Sequence, residues 1–211
     1  MVGQGVLREC LFDPDVESVL AIVRNSSLPH HDKLREIVLK DVSDLSAIED
    51  RLSGYDACFF CLGVSSVGMN EETYRRLTYD LTVSVAKTLA KLNPTMTIIY
   101  VSGAGTDSTE RGRSMWARVK GATENALLQM PFKAVFLFRP AYIQPLYGIR
   151  TKTRLYGAAY ALMAPLYPLW KMLFPNYVTT TECLGHSMLS VTKRGFPKPI
   201  LENRDINRMC G

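Results

Sequence analysis

Thr97-Ile98-Ile99-Tyr100-Val101-Ser102-Gly103-Ala104-Gly105 is the stretch whose reading decides the fold. Thr97 to Val101 are all β-branched or aromatic, which predicts a strand, and the glycines at 103 and 105 end it. No polar residue alternates with the apolar ones, so this strand is buried on both faces. Upstream, Tyr74, Leu77, Leu81, Val85, Leu89 and Leu92 recur at spacings of three and four, which predicts a helix over 70–92. Asn93-Pro94 stops it. Downstream, 114–129 reads as a helix and Ala134 to Phe138 as a second buried strand, closed by Arg139-Pro140.

The same alternation runs back to the start of the chain. Ala57 to Leu62 is a continuous apolar strand ending at Gly63. Strands are expected over 36–40 and 18–24, and Leu45, Ile48 and Leu52 mark a short helix capped by Ser43 or Asp44. Val2, Val6, Leu7, Cys10 and Leu11 share one helical face. Buried strands separated by helices need a parallel sheet covered on both sides, so the fold class is α/β, a doubly wound Rossmann-like sheet. After Pro140 the pattern changes. A loop is expected over 142–154, two short helices over 155–174, a helix over 181–192 capped by Thr180 or Thr181, and an edge strand near 199–201. Residues 1–142 form the expected core, and 143–211 a small helical C-terminal lid packed on it within one structural domain.

Composition narrows the function classes. The 211 residues are 47% hydrophobic and 21% charged, values of a folded domain rather than a disordered one. The net charge of +5 is too weak to argue for nucleic acid. No charged leader followed by an apolar run is visible, and no 18-residue apolar span. Five cysteines without a secretion signal suggest reduced thiols and a cytoplasmic setting. Cys58 and Cys61 have the CxxC spacing, but on a strand they point to opposite faces, whereas a redox pair needs a helix N-terminus. Core packing is therefore the expected role. His30, His31 and His186 show no zinc-ligand spacing with the cysteines, so no metal is expected.

The charge is concentrated. No acid occurs between Glu124 and Glu182, while Lys133, Arg139, Arg150, Lys152, Arg154 and Lys171 fall there. Two readings stay open for this run. Its apolar residues could pack as a lid that lines an apolar substrate pocket. Alternatively, Tyr and Trp with basic flanks over 150–174 suit peripheral contact with an anionic membrane.

Several stretches, in this order, resemble a known group: MVGQGVLREC, VRNSS, LKDVSDLSAIE, ACFFCLGVSS, YVSGAGTDS, WARVKGATENAL, FRPAYIQP and TTTECLGHSML. They are similar to the atypical short-chain dehydrogenase/reductase superfamily, in its NAD(P)H-binding branch with the Tat-interacting-protein-like oxidoreductases. The resemblance spans nearly the whole chain. In that group a strand and a TGATG-like phosphate turn precede the equivalent of Met1-Val2-Gly3. This sequence lacks both, so the expected sheet is short of its usual first strand, with an open slot at its centre. The expectation is that Met1 is an internal methionine of a longer chain. Natural truncation with weakened cofactor affinity is the alternative.

The resemblance implies NADP(H) as cofactor. Gly3 ends the phosphate turn, and Arg24 meets the ribose 2′-phosphate where NAD enzymes carry an acid. Asp41 meets the adenine, Leu62 and Gly63 let the ribose approach, and Pro140 shapes the nicotinamide end. A surface arginine, a loop aspartate and a turn glycine are the plain alternatives. Ser102 takes the catalytic serine position and Lys120 that of the lysine, which also holds the nicotinamide ribose. The tyrosine position is Trp116. Its indole N–H donates a hydrogen bond but cannot cycle a proton near neutral pH. Tyr100 and Tyr142 are possible substitutes. Two functions follow: an NADP-linked oxidoreductase acting on a small, apolar carbonyl-like substrate, or a catalytically silent NADP-binding regulatory protein.

Overall fold

The computed structural model describes residues 1–26, 28, 30–149 and 167–210. Helix α1 (Val2–Phe12) leads into β1 (Val19–Val23) and β2 (Leu34–Val38). A 3-10 turn (Ser46–Arg51) precedes β3 (Ala57–Phe60). Next come α2 (Glu71–Arg75), a π-helical segment (Arg76–Asp80) and α3 (Leu81–Leu92). Then follow β4 (Thr97–Val101), α4 (Met115–Leu128), β5 (Ala134–Arg139) and β6 (Tyr142–Gln144). The chain closes with α5 (Tyr167–Leu173), β7 (Val178–Thr180), α6 (Thr181–Arg194), β8 (Ile200–Glu202) and α7 (Asn203–Met209).

All the strand pairs are parallel, as buried apolar strands require. They do not form one continuous sheet. Among the described residues β1 pairs only with β2, while β3, β4, β5 and β8 form a separate four-stranded sheet in that order. Among those residues, one edge of β1 and one edge of β3 are thus without a strand neighbour. The two sheets nevertheless share their covering layers. Leu20 and Ile22 of β1 pack with Cys58, Phe60, Ile98, Tyr100 and Leu137 on the face covered by α3 and α4. Val19 packs with Phe59, Ile99, Phe136 and Phe138 on the face covered by α1 and α6. Helix α1 touches both β1 and β3, so it lies across the division.

Register explains the two faces. Cys58, Ile98 and Val135 are aligned across β3, β4 and β5, and the next row is Phe59, Ile99 and Phe136. Successive rows point to opposite sides. The two CxxC thiols therefore enter different cores, Cys58 one and Cys61 the other.

Helices α1 and α6 cross closely because each offers the other a glycine. A Cβ on Gly5 would lie 2.6 Å from Thr181 Cβ, and one on Gly185 would lie 2.6 Å from Glu9 Cγ. Thr180 caps α6, its hydroxyl accepting from the Cys183 amide at 3.0 Å.

Some expected elements differ. The second strand begins at Leu34, two residues before its expected start, because its ladder with β1 opens at Val19 opposite Leu34. The loop expected from Tyr142 contains β6, whose partner β7 lies far along the chain, so no local pattern announced it. Polar α7 was not expected; a capping box between Glu202 and Asp205 starts it. The helix expected over 70–92 forms, interrupted by the π turn, where the Thr82 hydroxyl donates to the Thr78 carbonyl at 2.5 Å. Most of the 150–174 stretch considered for membrane contact lies outside the described residues. No helix among the described residues is long and apolar enough to cross a membrane.

Candidate functional site

Parallel strands end on one common edge, so residues just past each strand gather there. Arg24 follows β1, Asp41 lies beyond β2, Leu62 and Gly63 follow β3, Ser102 follows β4 and Pro140 follows β5. Gly3 joins them from the first turn of α1: a Cβ there would lie 3.4 Å from Cys61 Cβ, just past the end of β3. That first turn has no side-chain cap and no acid, so its amides are not engaged by a capping side chain.

The outer members of this set are open. Arg24, Asp41, Gly63 and Gly3 are exposed. Nothing lies within 4 Å of where a Gly63 Cβ would sit. Asp41 is tied into its own turn, accepting from the Ser43 amide at 2.9 Å and the Ser43 hydroxyl at 2.6 Å. Those two bonds hold its carboxyl below the usual carboxylate range.

The inner members form a buried network. The Ser102 hydroxyl donates to Glu124 Oε1 at 2.5 Å, and its oxygen lies 3.2 Å from the Phe138 carbonyl oxygen. Lys120 Nζ donates to the Ser102 carbonyl. Burial lowers the Lys120 ammonium to about 8, against the pull of Glu124. Glu124 is wholly buried and meets Arg139 through two nitrogens, with Nε donating to Oε1 at 3.0 Å. Arg139 also reaches the Ser108 hydroxyl at 2.6 Å and Glu202 at 3.4 Å. Its pairing with Glu124 raises the guanidinium further.

This network sets what the site can do. With its proton directed at Glu124, the Ser102 hydroxyl offers an approaching group its lone pairs rather than its donor. Trp116 stands on the same helix as Lys120, its ring 3.5 Å from a Cβ position on Gly105. Tyr100 is not a substitute for a proton-cycling tyrosine here: it is 1% exposed, sits in the core, and burial drives its phenol upward. Tyr142 is half-buried, and its hydroxyl donates to Gln144 at 2.8 Å.

The loop from Gly103 to Gly112 is pinned over α4. The Asp107 amide donates to the Ala117 carbonyl at 3.1 Å, and the Asp107 carboxylate accepts from Gly112 and Thr109 amides. A Cβ on Gly121 would fall 1.8 Å from the Asp107 carbonyl oxygen, so only glycine admits this loop.

Sequence reading brought Ser102, Lys120 and Trp116 together but missed Glu124. Its signal was present: it stands four residues after Lys120, on the same helical face. It is also the last acid before the acid-free run. Its pairing with Arg139 shows that one of the run's basic residues is consumed inside the protein.

The thiols are placed for packing. Burial pushes Cys10, Cys58 and Cys61 up to about 12. The five cysteines are present as thiols. A surface hollow of about 340 Å³ bordered by Asp13, His186, Lys193 and Cys210 includes none of the strand-end residues.

No family model and no curated protein matches the chain. Solved structures do. The glucuronic acid dehydrogenase of Chromohalobacter salexigens superposes with a TM-score of 0.63 at 12% identity, covering 95% of this chain and 71% of that one. WbmF of Bordetella bronchiseptica, solved in complex with NAD+, gives 0.65 at 13% identity over 98% and 73%. The dTDP-glucose 4,6-dehydratase DesIV of Streptomyces venezuelae, solved with NAD, gives 0.63 at 14% over 99% and 75%. At such identities the likeness establishes architecture: this chain has the doubly wound Rossmann-like fold on which those dehydrogenase and dehydratase structures are built.

Proposed function

We propose that this protein binds a nicotinamide dinucleotide along the carboxyl edge of its strands and acts as an NADP(H)-linked, oxidoreductase-like protein. The observation that carries the reading is the convergence of Gly3, Arg24, Gly63, Ser102, Lys120 and Pro140 on that one edge. The residues fit the cofactor unevenly. Exposed Arg24 offers a cation to a ribose 2′-phosphate, and the space at Gly63 admits a sugar ring. Lys120, whose ammonium donates to the Ser102 carbonyl, is the residue that would hold the nicotinamide ribose. The cofactor supplies or accepts hydride when bound, and the chain's own residues orient it.

The open slot between β1 and β3 is, in this reading, filled by a strand preceding Met1 that also brings the phosphate turn. Helix α1 already lies over both edges, and its first turn opens at the carboxyl end of β3. A strand feeding α1 by a right-handed crossover to β1 falls in that slot.

A second reading keeps nucleotide binding and drops turnover. The Ser102–Glu124 bond and Trp116 favour it, because neither the hydroxyl nor the indole is set to relay a proton to a carbonyl. NADPH fluorescence titration tests the shared claim, with Arg24→Glu expected to weaken NADPH and spare NADH. Turnover on a panel of apolar aldehydes and ketones separates the readings. NADPH binding without turnover selects the silent protein, and equal NADPH and NADH affinities sink the 2′-phosphate assignment.

The back third also supports contact with an anionic lipid surface. Met172, Leu173, Phe174 and Tyr177 are 72%, 56%, 46% and 64% exposed. They lie within a run that has no acid and whose basic residues, besides the Glu124-paired Arg139, are Lys133, Arg150, Lys152, Arg154 and Lys171. Exposed apolar side chains in a sequence rich in basic residues suit such a surface. Flotation with phosphatidylserine vesicles, reduced by Leu173→Asp with Phe174→Asp, is the expected result. Failure to co-migrate removes the idea.

A further inference from the structure

The crossing of α1 and α6 carries a feature that nucleotide binding does not use. Glu9, Glu182 and His186 present three ligand atoms, all within 4.8 Å of one another. Glu182 and His186 are four residues apart on α6 and so share a face. Gly185 lies on that face beside them. Its missing side chain leaves the space that Glu9 enters, since a Cβ there would meet Glu9 Cγ at 2.6 Å. The carboxylate of Glu9 thereby comes close to both Glu182 and His186. Glu9 is 4% exposed, yet its Oε2 lies 3.2 Å from His186 Nε2. His186 is half exposed, so the cluster opens to solvent on one side.

The groups bonded to the two carboxylates supply little positive charge. Arg8 reaches only Oε1 of Glu9, at 2.6 Å, and its guanidinium lies 3.6 Å from the centre of the Tyr147 ring. The Tyr147 hydroxyl donates to Glu182 Oε1 at 2.6 Å. Two carboxylates therefore face one formal positive charge. Two carboxylate oxygens and one imidazole nitrogen suit a divalent first-row transition ion, with further positions left for water.

We propose that the α1–α6 crossing is a binding site for a divalent transition-metal ion, held by Glu9, Glu182 and His186. No cysteine takes part, and Glu9 comes from the opposite end of the chain to Glu182 and His186, so the i, i+4 pair alone does not announce the third ligand. The ion joins the first helix to the last third and stabilises the folded state by mass action. The claim is independent of nucleotide binding.

Co2+ titration of the full chain, followed by absorbance and by thermal unfolding, tests it. The expected result is saturable binding of one ion per chain, with weak visible bands, no thiolate charge-transfer band and a raised melting temperature. Glu182→Gln and His186→Ala each weaken binding by roughly tenfold or more. Both positions are solvent-accessible, so the metal-free variants keep the parent circular dichroism. Non-saturable binding overturns the proposal, as does undiminished binding in both variants. A thiolate charge-transfer band also overturns it, because it places the ion on the cysteines.

Discussion

β4 and β1 are both parallel strands of five mostly apolar residues, yet they sit in different environments. β4 pairs on both edges, and four of its five residues are buried. Among the described residues β1 pairs on one edge only, and all five of its residues are merely half-buried. Composition does not separate them; the absent neighbour does. A strand meant for a sheet interior keeps interior side chains even where its edge is open, and such an edge has unpaired backbone groups. β4 thus lies in a sheet interior, whereas β1 and the outer edge of β3 are held by the helices and side chains that cover both blocks.

Hydrogen exchange probes that contrast most broadly. Amides of β4 exchange only on global unfolding, at a cost of about 5–15 kcal/mol, while those of β1 and the free edge of β3 exchange through cheap local opening. Equal protection in the two blocks breaks the comparison. Next in size is Glu124→Ala, on the helix that covers the four-stranded block. It leaves Arg139 buried without its main partner and costs about 3–5 kcal/mol in urea unfolding. Glu124→Gln keeps the shape and loses less. A loss below about 1 kcal/mol for the alanine variant removes the network's structural role. Gly121→Ala forces the Asp107 loop off α4 and costs about 1–3 kcal/mol, more if the loop cannot shift. A neutral substitution there contradicts the close approach.

The smallest effects are those of pH. Cys10, Cys58 and Cys61 stand near 12 when folded against an ordinary 9.0. The folded state keeps protons that the unfolded chain releases, so their stabilisation is whole below pH 9 and is lost as pH rises toward 12. Lys120 acts oppositely. Lowered from 10.5 to about 8, it costs stability below pH 8 and is relieved as pH climbs from 8 to 10.5. Stability therefore falls above pH 9, where three thiols outweigh one amine. Lys120→Met falls more steeply and lacks the slight rise between pH 8 and 9. Superimposable profiles for the two proteins contradict the assignment to Lys120.

Much of this was legible in the sequence. The buried strands, their alternation with helices and the edge on which Arg24, Gly63, Ser102 and Pro140 gather follow from apolar runs and turn residues. Even the opposite facing of Cys58 and Cys61 follows from the period of a strand. What escaped was long-range. β6 and β7 meet across a wide sequence gap, and each is three residues long, too short for a pattern. Glu124 stood in plain view, but its buried partner Arg139 is set by the packing of α4 on β5. The Glu9 cluster depends on a glycine of α6 that accommodates a side chain of α1, which no local rule reveals.

The central claim is that the divided sheet is a nucleotide-binding sheet short of one strand. NADPH titration by nicotinamide fluorescence, on this chain beside one extended upstream through a strand and phosphate turn, tests it most directly. The expected result is weak binding here and binding on the order of 100-fold tighter, about 2.8 kcal/mol, in the extended chain. No NADPH affinity in either chain contradicts the claim.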